Sequence, residues 1–184
     1  MQIEDGVGKG YKAQVNEENR LLTSTITKTL ERHINEDEGQ SFNLLFSQAP
    51  TANDDCILYM LNSSVDKMIV EGMWLYVSGA CEVYYAYADT GTRNGAVTLT
   101  PVNLNSASGS VAEGTFERGA DLDGGAATVT IGNPLNLFKF TAETATSIFN
   151  FEQDLIITKN NAMVVLCDTA GVTVTGTVIF NYHP

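Results

Sequence analysis

The end of the chain constrains its fold more than any other feature. Val172, Val174, Gly176, Val178, Phe180 and Tyr182 alternate with Thr173, Thr175, Thr177, Ile179, Asn181 and His183. In an extended strand such alternation collects every second side chain on one face; in a helix it would scatter them around the axis. A long, half-buried strand is therefore predicted over 172–183. Ahead of it, Ala162–Cys167 is apolar throughout, and Asp168-Thr169-Ala170-Gly171 has the composition of a turn. The two segments are expected to pair as a hairpin. Gly176, in mid-strand, is expected to mark a bulge or a bend.

The same reading extends upstream. Segments 42–46, 56–61, 68–77 and 82–88 are rich in β-branched and aromatic residues and bounded by Gly, Asn or Ser. In the last of them Val83, Tyr85 and Tyr87 face one way, and Glu82, Tyr84 and Ala86 the other. Shorter candidates are 96–104, 111–116, 127–131, 138–140, 147–151 and 155–158. Helical signals are thin. Segment 141–149 holds Ala and Glu, but its threonines and Phe149-Asn150-Phe151 oppose a stable helix. Many short strands at even spacing predict an all-β fold, an antiparallel β-sandwich of jelly-roll type over 41–184.

Residues 1–40 differ. They hold five of the ten basic residues and eight of the 22 acidic ones, with glycines at 6, 8 and 10. Tyr11-Lys12-Ala13-Gln14-Val15, a turn at 16–19, and the β-branched run 20–29 read as an extended arm with a short β-hairpin. A two-stranded hairpin is marginal in water, so the arm is expected to dock on the main domain or on a partner. Segment 30–38 is compatible with a helical turn, but the acidic residues at 36, 37 and 38 fit a linker better.

Composition excludes several function classes. The net charge is −12, and such a surface repels phosphate, so nucleic acid and anionic membranes are not expected partners. No run of 18 apolar residues exists, and Met1-Gln2-Ile3-Glu4-Asp5 has neither a basic nor an apolar leader region. Neither a membrane span nor a secretory signal is expected. Cys56, Cys81 and Cys167 are odd in number and lack Cys-x-x-Cys spacing, so they read as buried thiols. His33 and His183 lie near opposite ends, and neither is framed by a nucleophile. No enzymatic activity, metal or cofactor is expected.

The remaining motifs reduce to structure. Gly6-Val7-Gly8-Lys9-Gly10 lacks the Ser or Thr, the preceding strand and the following helix of a phosphate loop. Asp121 and Asp123 with their glycines lack the closing Glu of a calcium loop, and Asp54-Asp55 reads as a solvated turn. Trp74, Tyr76, Tyr84, Tyr85 and Tyr87 are close in sequence and suggest a sugar-stacking platform, against the plainer reading of core and cross-strand pairs. Asn62-Ser63-Ser64 is a chance sequon.

Three stretches carry a family resemblance. Glu4-Asp5-Gly6-Val7-Gly8-Lys9-Gly10-Tyr11-Lys12-Ala13-Gln14-Val15 with Asn19-Arg20-Leu21 is similar to the opening of a family of tailed-bacteriophage virion structural proteins. His33-Ile34-Asn35 with Gly39 and Phe42 resembles the join to the main domain in that family. Pro101-Val102-Asn103-Leu104-Asn105-Ser106-Ala107-Ser108-Gly109 resembles its mid-chain loop. The resemblance implies a particle component folded in the host cytoplasm. The expectation is a head decoration, or cement, protein that binds the major capsid protein on the virion surface as a homotrimer. Tyr11, Val15, Leu21, Leu22 and Ile26 are the expected apolar anchors of the arm on the capsid. The alternative is a tail or head-fibre module that binds a host receptor or glycan.

Overall fold

In a computed structural model, the described residues are 33–141 and 146–183, the side chains of 146 and 152–154 excepted. The strands are β1 (Ser41–Gln48), β2 (Asp55–Asn62), β3 (Lys67–Val77), β4 (Cys81–Ala88), β5 (Val97–Thr98) and β6 (Val102–Asn103). They continue as β7 (Gly114–Arg118), β8 (Ile131–Phe140), β9 (Thr146–Ile157), β10 (Ala162–Cys167) and β11 (Val174–His183). Two antiparallel sheets form a sandwich, ordered β6-β1-β11-β3-β9 and β5-β7-β2-β10-β4-β8. Pairing is nested: β1 with β11, β2 with β10, β3 with β9, β4 with β8. The contacts β11·β3 and β10·β4 then roll this long double ribbon into two layers.

The core lies between the sheets. It takes Phe42, Leu44 and Phe46 from β1, Met73, Leu75 and Val77 from β3, and Val174, Val178 and Phe180 from β11, against β2, β4 and β10. The predicted alternation in β11 is observed, with Val174, Val178, Phe180 and Tyr182 buried and Thr175 exposed.

The predicted hairpin of β10 with β11 does not form. β10 is buried along its whole length and lies between β2 and β4, whereas β11 pairs β1 and β3 in the opposite sheet. A strand apolar on both sides needs cover on both faces, which a half-buried neighbour cannot give it. The connection 168–173 therefore crosses between sheets, turning at Gly171 (φ 77°), whose N–H donates to the Pro50 carbonyl. Gly176 is not a bulge either; the register shift falls between Ile179 and Phe180. A Cβ at 176 would lie 2.6 Å from the Phe46 ring and 2.7 Å from Leu75, so glycine is there because two neighbouring side chains close over it.

Other boundaries also move. Segment 96–104 divides into β5 and β6, in different sheets. Residues 127–130 lie outside the sheets, and β8 runs unbroken to Phe140, carrying Pro134 on an edge strand where its missing N–H costs least. Segments 147–151 and 155–158 merge into β9. Ile34–Glu38, expected as a linker, is a single wide helical turn closed by Gly39 at φ 64°, with Ile34 buried.

The six-stranded sheet covers its own outer face. Loop 119–130 lays Leu122, fully buried, against Cys56, Tyr59, Ala86, Val164 and Leu166. The Tyr59 hydroxyl donates to the Asp89 carbonyl at 2.7 Å, and the Arg93 guanidinium sits 4.4 Å from the Tyr59 ring centre. Arg93 is held by Glu117 at 2.6 Å. This second apolar layer explains why β2 and β10 read as uninterrupted apolar runs.

Candidate functional site

Among the described residues, the five-stranded sheet has no such cover over one half of its outer face. Register places Leu45, Thr177, Trp74 and Ile148 in one row across β1, β11, β3 and β9. The next row is Ser47, Thr175, Tyr76 and Thr146. Outward positions on a strand alternate with core positions, and here the core positions are Leu44, Phe46, Met73 and Leu75. Leu45 and Ile148 are each 62% exposed and Tyr76 is 40% exposed. Val102 of β6, opposite Asn43 on the same face, is also exposed.

A groove of about 510 Å³ lies at the β1 side of this face, between Leu45, Trp74 and Tyr76 and above Gly176. Arg118 closes its rim, donating from Nη1 to the Ser47 carbonyl and to Gln48 Oε1 at 2.8 Å. Ser47 Oγ and Thr175 Oγ1 are 2.8 Å apart and satisfy each other. No Asp, Glu, Lys or Arg occurs in 41–48, 72–77, 146–151 or 174–183, so these stretches add no charge to the face, on a chain of net charge −12. At the other end of the sheet the face is closed around β11, while Ile156 of β9 stays exposed. Asn181 is buried with its amide donating to Glu71, and the Ile34–Glu38 turn packs on β11.

Two of the stretches that carry the family resemblance meet where the chain enters the sandwich. Asn103 Nδ2 and Ser108 Oγ both donate to the Gly39 carbonyl, at 2.7 and 3.2 Å. Asn105 Nδ2 donates to the Asn35 carbonyl at 2.9 Å. The third stretch, and with it Tyr11, Val15, Leu21, Leu22 and Ile26, lies outside the described residues.

The aromatic cluster read from sequence is dispersed. Tyr85 is in the core, stacked on Phe138. Tyr84 is on the other side of the six-stranded sheet, its hydroxyl donating to Asp54, and burial with that hydrogen bond raises its pKa. Tyr87 lies by the β9 edge, bonded to the Ile156 carbonyl. Only Trp74 and Tyr76 share an open surface.

The structure unites acidic residues that the sequence leaves apart. One carboxylate oxygen from each of Asp55, Asp121 and Asp123 falls within 4.8 Å of the others. Such oxygens are the ligand type that hard cations take. Asp55 Oδ2 already accepts from the Thr51 amide, the Thr51 hydroxyl and the Ala52 amide, and Asp123 Oδ1 accepts from the Cys56 amide at 2.8 Å. The Asp55 bonds close the 51–55 turn, and the Asp123 bond fastens the loop that covers β2. Burial raises the pKa of Asp121, and the Asp55 and Asp123 charges add to it. A separation of 66 residues hid this cluster from any spacing rule.

The thiols are poor nucleophiles. All three are free and buried. Burial pushes Cys81 up to about 12, helped by the neighbouring Cys167 thiol, and it raises Cys56 and Cys167 as well. His33 Nδ1 faces Asp37 Oδ2 at 2.6 Å, a carboxylate and not a nucleophile. Asn62 is fully buried; its amide donates to the Asp66 and Ile157 carbonyls and its oxygen accepts from the Ser64 amide, so it offers no attachment point for a glycan. Among the described residues no helix is long and apolar enough to cross a membrane. No protein-family model, curated protein or solved structure matches this chain.

Proposed function

We propose that this chain is a non-enzymatic structural protein of a bacteriophage particle, a decoration protein that binds the major capsid protein on the outer head shell as a trimer. The observation that carries the reading is the sheet face that the described residues leave uncovered and to which its strands add no charge. A body that seals one sheet with its own loop and leaves the other apolar and open is suited to being covered by protein. Buried thiols held protonated, and an imidazole facing carboxylates, fit a role without catalysis. The joined Asn35–Gly39 and Asn103–Ser108 segments fit the family resemblance at the point where the arm would leave the body.

The sandwich is read as a jelly roll. Support comes from the nested pairing of eight strands, first with last and inward to β4 with β8, and from the crossing of sheets at β1–β2, β2–β3, β3–β4, β8–β9, β9–β10 and β10–β11. β5, β6 and β7 are then additions at the edges.

In this reading residues 1–40 anchor the protein through Tyr11, Val15, Leu21, Leu22 and Ile26, and main-chain hydrogen bonds to an exposed capsid strand supply affinity. A protein that binds only the assembled shell stabilises it by mass action. Immunogold electron microscopy of particles, with antibody against residues 41–184, tests the assignment. Label spread evenly over heads is expected; label confined to tails or to one vertex overturns it. Deleting residues 1–29 is expected to keep the strand-type circular dichroism and to abolish sedimentation with heads.

One observation favours a second reading, a fibre module that binds a glycan. Trp74 and Tyr76 flank a groove that also carries the Ser47, Thr175 and Thr177 hydroxyls and Arg118. In that case Tyr76→Ala abolishes binding to host polysaccharide, and label falls on fibres.

A further inference from the structure

We infer that the open half of the β1–β11–β3–β9 face is the contact between copies of this chain. This deepens the self-association proposed above and is separable from head binding, because it concerns a different part of the molecule from the arm. Three observations name a second copy as the occupant.

The first is charge. Residues 1–32 carry five Lys or Arg and five Asp or Glu, so the whole net charge of −12 falls on 33–184. Two such bodies repel wherever their carboxylates face each other. Apart from Arg118, tied to Ser47 and Gln48 at the rim, the Leu45–Trp74–Ile148 surface holds no charged side chain among the described residues, so there two copies meet without carboxylate repulsion.

The second is chemistry. The rows Leu45–Thr177–Trp74–Ile148 and Ser47–Thr175–Tyr76 expose apolar and hydroxyl groups, and two of the hydroxyls already satisfy each other. Covering the surface therefore strands no unpaired charge, Arg118 at the rim being already bonded to Ser47 and Gln48; stranding one is the costly step in burying a polar protein face. Aromatic residues at the centre of a patch with a polar rim are the usual anatomy of a protein contact.

The third is size. The open half of four strands about 4.8 Å apart, some five residues long at about 3.4 Å each, covers roughly 19 by 17 Å in projection. That is on the order of 300 Å² before side-chain relief, the size of a small contact that reverses on dilution rather than of the roughly 800 Å² per partner of a standard interface.

The test uses the full chain and its single tryptophan, Trp74, which lies on the proposed contact. Sedimentation equilibrium is expected to give a multiple of 19.9 kDa that falls toward 19.9 kDa on dilution. Over the same dilution Trp74 emission is expected to move to longer wavelength and become more accessible to acrylamide. Leu45→Glu and, independently, Ile148→Glu are expected to weaken association by about tenfold or more, since each places a carboxylate in the contact. Both sites are open in the single chain, so circular dichroism and thermal midpoint, read on dilute samples, are expected to stay unchanged. Val65→Glu, at an exposed apolar position between β2 and β3, is the control and is expected to associate as the parent does. Raising NaCl from about 20 mM to about 500 mM is expected to tighten association, because screening removes repulsion between the acidic bodies. A mass of 19.9 kDa at every concentration overturns the inference, as does association unaffected by both Glu variants or weakened by salt. A failure here leaves head labelling to decide the decoration proposal by itself.

Discussion

Gly176 shows how a single residue is fixed by its neighbours. Its strand would gain propensity from almost any side chain, but Phe46 and Leu75 occupy the space a Cβ needs. Gly176→Val is expected to lower stability by about 1–3 kcal/mol through overpacking, read as a lower urea midpoint at unchanged slope. Asp89 gives a pH-dependent counterpart. Its Oδ1 accepts from the Gly91 and Thr130 amides, and these bonds pull its pKa below the ordinary 3.8. A carboxylate depressed in the folded state contributes stability above its unfolded pKa and loses it as pH falls through the folded one. Asp89→Ala is therefore expected to melt lower than the parent at pH 7, with the difference closing as the pH drops below 3.8. Parallel melts over that range check it.

At the scale of elements, burial on one face or on two decides where a strand goes. β10 is apolar throughout because loop 119–130 covers its second face, while β11 alternates because none of the described residues covers its outer side near Thr175 and Thr177. Leu122 is the centre of that cover and is fully buried. Leu122→Ala is expected to cost roughly 2–5 kcal/mol in denaturant unfolding. It is also expected to speed hydrogen exchange at the Cys56 amide, which Asp123 caps one residue beyond Leu122. Unchanged exchange at Cys56 would mean that the loop holds without its apolar anchor. The turn Ile34–Glu38 follows the same logic: Ile34 needs cover, and the face beside β11 supplies it.

For the whole molecule, the defining fact is that the first described strand pairs with the last, Ser41 opposite Asn181. Closing so long a loop costs chain entropy before any ladder is gained, and sheets dominated by distant pairs fold slowly. Refolding from urea is expected on the millisecond-to-second scale, with β11 docking into its sheet late; stopped-flow tryptophan fluorescence reads the β3·β11 part of it, since Trp74 of β3 lies opposite Thr177 of β11. A microsecond phase that carries the full amplitude would overturn this. The same topology leaves β8 and β9 as edges and one sheet face open, which sets where partners can approach.

Local chemistry determined the all-β class, the position of most strands and the facing of each residue in β11, because alternation and turn composition act over a few neighbours. The burial of the three thiols was legible for the same reason. Only the tertiary structure decided which strands pair. A turn such as Asp168-Thr169-Ala170-Gly171 reverses the chain equally well within a sheet or between sheets, so β10 and β11 separate where a hairpin was expected. It also decided that Asp55 meets Asp121 and Asp123, that the aromatic residues from Trp74 to Tyr87 part company, and that Leu45, Trp74 and Ile148 align. These residues are brought together by the register of strands far apart in the chain, which no local pattern encodes.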